Sequence, residues 1–134
     1  MIDVRSDTVT KPTRQMLDAM ICAQVGDDIL GDDPSVKELE ALGASMFQKE
    51  AALFVVSGTM ANQLAVMTHT NRGDEVIVGS DSHIYNLEVG ALAALSQVQA
   101  RPVECVEGRP DPAVFERAIQ EAGIQRTHTG LICL

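Results

Sequence analysis

The sequence predicts an α/β protein organised on a parallel sheet, and three observations predict it. Short apolar runs at 51–56, 75–79, 98–106 and 131–134 alternate with longer stretches of helical periodicity, without a linker or low-complexity tract. Asp-Pro pairs at Asp33-Pro34 and Asp111-Pro112 mark helix starts. The run Glu50 to Val56 passes through Ser57-Gly58-Thr59 into helix formers from Met60 to Thr70, so that a buried strand, a glycine turn and a helix start follow one another.

The elements follow in order. Met16, Leu17, Met20 and Ile21 share one face of a first helix, which Thr13 caps and which Pro12 and Gly26 bound. Val25 to Asp33 reads as a loop carrying two Gly-Asp-Asp triplets, 26–28 and 31–33. A cation site is one reading of such acids; capping of the next helix by Asp33 is preferred, because Pro34 follows it. Val36, Leu39, Leu42 and Met46 then form the apolar face of a helix ending near Gln48. Ala51 to Val56 has the length and β-branched content of a fully buried strand. After the helix from Met60, Asn71-Arg72-Gly73-Asp74 is a turn and Glu75 to Gly79 a second strand. Ser80 to His83 is a loop at that strand's C-terminal end, followed by an alanine-rich helix through about Leu95. Val98 to Val106 reads as a third strand interrupted by Pro102. Val114, Phe115, Ala118 and Ile119 face the core from a helix opened by Asp111-Pro112, and Leu131 to Leu134 begins a fourth strand.

Composition narrows the function classes. A chain of 134 residues that is 46% hydrophobic has the size and apolar content of one ordinary domain. A net charge of −9 argues against nucleic acid or an anionic membrane as partner, since both require a basic face. The polar start, Met1-Ile2-Asp3-Val4-Arg5-Ser6-Asp7, has no signal-peptide core and no later run has the length of a membrane span, so the expected location is the cytoplasm. Cys22, Cys105 and Cys133 are widely spaced in apolar settings and read as buried reduced thiols. His69, His83 and His128 lack ligand spacing, so no metal site is expected.

The turn at Ser57-Gly58-Thr59 is the first candidate site. Free N–H groups at a helix start, with the positive end of its dipole, favour an anion such as phosphate, and the Ser57 and Thr59 hydroxyls add donors. A capped helix with nothing bound explains the same residues, and both readings stand on this segment alone. Ligands of open parallel sheets collect at the C-terminal strand ends, which would bring Gly58, Thr59 and His83 together.

Several motifs in one order carry a resemblance. They are Asp3-Val4-Arg5-Ser6-Asp7-Thr8-Val9-Thr10-Lys11-Pro12, the Val25–Pro34 loop, Lys49-Glu50-Ala51-Ala52-Leu53-Phe54, Ser57-Gly58-Thr59-Met60-Ala61-Asn62-Gln63, Arg72-Gly73-Asp74-Glu75-Val76-Ile77 and the position of His83. Over essentially the whole chain the sequence resembles the low-specificity L-threonine aldolases, fold-type-I enzymes that use pyridoxal phosphate (PLP) and cleave β-hydroxy-α-amino acids to glycine and an aldehyde. The resemblance implies an N-terminal arm with helices over 1–48 and, over 49–134, the first part of a PLP-binding α/β domain. It further implies a small amino-acid substrate and a homotetrameric parent with sites shared between subunits.

The resemblance also assigns roles. Ser57, Gly58 and Thr59 resemble the phosphate-binding turn. His83 resembles the histidine that stacks on the cofactor ring and lies near the substrate hydroxyl, as a base or by orienting a water. Ser6 resembles a residue contacting the substrate carboxylate; by itself it reads as a turn serine. Arg5 and Asp7 read as structural. Leu30 stands where family members often carry an aromatic residue, and His128 lies near another family histidine without aligning to it. The chemistry needs a lysine that forms a Schiff base with PLP. None of Lys11, Lys37 and Lys49 matches that motif, and Leu134 ends the chain inside an apparent strand, so the chain is expected to be an inactive fragment. A related β-eliminating lyase, or a non-catalytic chain that binds phosphate, PLP or full-length subunits, are the alternatives.

Overall fold

The computed structural model describes residues 2–106 and 108–134, and of Pro110 the backbone alone. It divides into two compact units, Met1–Phe54 and Val55–Leu134.

In the first unit a 3-10 turn, Asp7–Val9, precedes α1, Arg14–Cys22, and α2, Pro34–Phe47. Thr13 caps α1 by accepting from the Met16 N–H at 3.2 Å. Asp33 caps α2: one carboxylate oxygen accepts from Val36 N–H at 2.9 Å and the other from Gly26 N–H at 3.0 Å. Those bonds, that from Gly26 foremost, hold the Asp33 carboxyl below its ordinary range. With both oxygens engaged, capping and loop closure account for this acid, and among the described residues no cluster of three metal-binding side chains exists. Gly26 is needed there, because a Cβ would lie 2.4 Å from the Asp32 carbonyl oxygen.

The expected strand over Ala51 to Val56 does not form. The segment is irregular, with Leu53 and Val56 exposed. Apolar, β-branched content makes a strand only when a neighbour supplies the ladder, and no strand among the described residues pairs with it. One N–H, that of Phe54, is met instead by the Glu40 carboxylate at 2.7 Å.

The second unit carries α3, Gly58–His69, then β1, Glu75–Gly79; α4, His83–Asn86; α5, Ala91–Ala94; β2, Gln99–Val103; β3, Cys105–Val106; β4, Arg109–Pro110; α6, Pro112–Ala118; and β5, Thr129–Cys133. The alanine-rich stretch is therefore two short helices rather than one, interrupted where Val89 and Gly90 take left-handed backbone angles, φ 54° and 74°. The third apolar run likewise splits: β2 ends at Val103, and β3 beyond it leaves the parallel sheet and pairs antiparallel with β4. Pro102 is tolerated because β2 is an edge strand.

β1 lies at the centre of a parallel sheet of order β2-β1-β5 and is buried throughout, as a strand covered on both faces must be. On one face Val76 and Val78 pack with Val66 of α3, Leu92 of α5 and Val98; on the other Ile77 packs with Val103 and Phe115 of α6. The period-two alternation of β1 thus joins the two layers. At the N-terminal edge of β1, the fully buried Glu75 carboxylate accepts from Arg101 Nε at 2.5 Å. The cysteines are free thiols; Cys105 and Cys133 are half-buried, but Cys22 is exposed, because α1 buries none of its residues. No helix among the described residues is long and apolar enough to cross a membrane.

Candidate active site

The topology fixes where a ligand can sit. From β1 the chain crosses to β2 on one side and then passes to β5 on the other, and ligands of such parallel sheets collect at the C-terminal strand ends. Two clefts of about 320 and 350 Å³ open there, the first lined by Gly79, Ser82 and Cys105 among others, the second by Asn62, Val66 and Leu131, and both by His83 and Cys133.

His83 reaches this place by a braced loop. Ser82 donates its hydroxyl to the Gly79 carbonyl at 2.7 Å, and the Asn86 amide donates to the Ser80 and Ser82 carbonyls at 2.8 and 3.1 Å. The His83 side chain is 60% exposed, while its Nδ1 lies 3.1 Å from Oε1 of Glu88, whose side chain is fully buried.

Glu88 joins His83 to α3. Its Oε1 also accepts from the Asn62 amide at 2.6 Å, and its Oε2 accepts from the Gln63 amide at 2.7 Å. Gln63, itself buried, accepts at Oε1 from the Ser96 hydroxyl at 2.7 Å. Burial pushes the Glu88 carboxyl up, but the bonds from Asn62, Gln63 and His83 outweigh it and hold the group below its ordinary range. None of Glu88, Asn62, Gln63 and Ser96 stands out in the sequence as a site residue, although Asn62 and Gln63 close the Ser57–Gln63 motif. The available signal was a lone acid within the apolar run Leu87 to Leu95, together with the adjacent amides Asn62-Gln63.

The start of α3 has the chemistry of an anion cradle. Ser57 caps the helix by accepting from Met60 N–H at 3.1 Å, and its hydroxyl hydrogen remains to donate. The N–H groups of Gly58 and Thr59 are among those a helix start leaves without intrahelical partners. Nothing lies within 4 Å of where a Gly58 Cβ would stand, so the approach is open. These donors have the chemistry to hold a phosphate.

The other sequence candidates lie elsewhere. Ser6 is in the first unit, where its hydroxyl accepts from Thr8 N–H at 3.2 Å. Leu30, Lys11, Lys37 and Lys49 belong to that unit too, and all four are exposed. His128 precedes β5 at the opposite end of the sheet from His83, its carbonyl accepting from Glu75 N–H at 2.8 Å.

Comparison with known proteins finds relatives over nearly the whole chain. Low specificity L-threonine aldolase of Escherichia coli (strain K12) is 41% identical over 144 residues, and low-specificity L-threonine aldolase 1 of Arabidopsis thaliana 45% identical over 137. Low specificity L-threonine aldolase of Saccharomyces cerevisiae is 42% identical over 102 residues, covering 75% of this chain. The first two matches take in 98% and 99% of this chain but only 43% and 38% of those proteins, so the chain spans less than half the length of such relatives. The beta-eliminating lyase family matches residues 3–134. By that match, which runs through both units and the cleft around His83, the chain belongs to the beta-eliminating lyase family.

Proposed function

We propose that this chain forms part of the PLP-binding region of an aldolase that cleaves L-threonine and L-allo-threonine to glycine and acetaldehyde. The observation that carries the reading is the tie from His83 through Glu88 to Asn62 on α3, the helix whose first turn is Ser57-Gly58-Thr59. When bound, PLP supplies an electron sink for the carbanion left as the Cα–Cβ bond of the amino acid breaks. The protein's own tasks are then positional. Gly58 and Thr59 N–H groups and the Ser57 hydroxyl hold the phosphate; His83 lies against the ring and accepts, or passes to a water, the proton of the substrate hydroxyl; Ser6 contacts the substrate carboxylate. The Schiff-base lysine is not among Lys11, Lys37 and Lys49, so the isolated chain is expected to bind without turning over. The parent is read as a cytoplasmic homotetramer.

Pyridoxine phosphate, which lacks the aldehyde and forms no adduct with lysines, tests the binding half on this chain. Amide shifts at Gly58 and Thr59 and ring shifts at His83 are expected; shifts confined to other residues refute the reading. For a polypeptide of the relatives' length carrying these residues, acetaldehyde from threonine supports the aldolase, whereas pyruvate and ammonia from serine assign a β-eliminating lyase.

A further inference from the structure

We infer that Glu88 is a positioning residue that fixes the His83 imidazole as its Nδ1–H tautomer, leaving Nε2 as the single atom through which this ring takes up a proton. The inference rests on His83 being the ring-facing group of the proposed function. The direction of every hydrogen bond follows from donor and acceptor chemistry. Ser96, Gln63 and Glu88 are all buried, so water cannot substitute for a missing partner. The Ser96 hydroxyl lies 2.7 Å from Gln63 Oε1, and Ser96 is the donor because a carbonyl oxygen cannot donate. That leaves the Gln63 NH2 aimed at Glu88 Oε2, 2.7 Å away, and the Asn62 NH2 at Oε1, 2.6 Å away. An ionised carboxylate has acceptors only, and its low protonation range keeps it ionised. His83 Nδ1, 3.1 Å from Oε1, must therefore carry a hydrogen. The second ring nitrogen keeps its lone pair on a side chain that is 60% exposed and lines both clefts. When Nε2 accepts a proton, the imidazolium formed stands against a buried carboxylate already in place, and no side chain has to turn.

The test is nitrogen-15 spectroscopy of the ring of His83 in this 134-residue chain, without ligand, at a pH well above the ordinary imidazole range of about 6.5. Nδ1–H is expected in roughly tenfold excess or more, since a bond to a buried carboxylate is among the stronger kinds. In Glu88→Gln, whose amide no longer offers an acceptor to all three donors, the excess should vanish and Nε2–H, the form a free histidine side chain prefers, should lead. A parent chain dominated by Nε2–H overturns the inference, as does a folded Glu88→Gln chain with an unchanged ratio. If Glu88→Gln does not fold, the parent spectrum and that of the milder Ser96→Ala decide, the latter expected to show a smaller excess. Because no ligand is present, an Nδ1–H ring in a chain that ignores pyridoxine phosphate would refute the functional reading and leave this one standing.

Discussion

Ser96 and Gln63, 33 residues apart, are joined by a 2.7 Å hydrogen bond between two buried side chains, and that bond decides which way the Gln63 amide faces. Ser96→Ala removes the donor and leaves the Gln63 carbonyl oxygen buried without a partner, at a cost of about 1–3 kcal/mol. Urea denaturation should show that loss as a lower midpoint with an unchanged slope. An unshifted midpoint would mean that the amide finds water or turns over freely.

Acid should loosen the same network. The folded Glu88 carboxyl titrates below its ordinary range, because the bonds from Asn62, Gln63 and His83 outweigh the effect of burial. A group with a depressed folded value binds more protons when unfolded, so its stability is present above the unfolded range and is lost as pH falls through the folded value. Asp3 and Asp33 are depressed too and lose stability over the same acid limb. The difference between the parent and Glu88→Gln isolates Glu88: the stability gap between them should narrow on acidification below the ordinary glutamate range. A gap that stays constant with pH argues that Glu88 is already protonated.

Gly58 separates fold from binding. It is the first residue of α3, its backbone is not left-handed, and a Cβ there would meet nothing within 4 Å. Gly58→Ala should therefore fold at least as well, gaining up to about 0.4–1 kcal/mol from a less flexible unfolded chain. The methyl group would instead stand in the open approach to the first-turn N–H groups, so pyridoxine phosphate should bind at least tenfold more weakly. Undiminished binding would place the phosphate elsewhere.

How far the sequence revealed this arrangement depends on how local each cause is. Helix starts were legible because a single residue type sets them: Thr13, Asp33, Ser57 and Asp111 all cap as their positions imply. β1 was legible because a strand buried on both faces is apolar along most of its length. The segment 51–56 has the same composition but was misread, since a strand is a property of a pair and composition reports only one member. The parallel sheet also placed His83 correctly at a C-terminal strand end. Glu88 escaped because its partners, Asn62, Gln63 and His83, come from two elements, and its role appears only once they are brought together.

Val89 explains why His83 and Glu88 meet at all. In a continuous helix, residues five apart are separated by about 140° around the axis, too far to share a face. The break after α4 removes that restriction, and it passes through Val89 at φ 54° and Gly90 at φ 74°. Glycine accepts such an angle; a β-branched residue that is 97% exposed does so at a cost and buries nothing in return. Val89→Asn, a residue that tolerates the left-handed region, should raise stability by about 0.5–1 kcal/mol while leaving the tautomer of His83 unchanged. A higher denaturation midpoint with an intact Nδ1–H signal is the expected pair of results. A stabilised chain that has lost that signal would mean that the valine itself, and not the break, holds Glu88 against the ring.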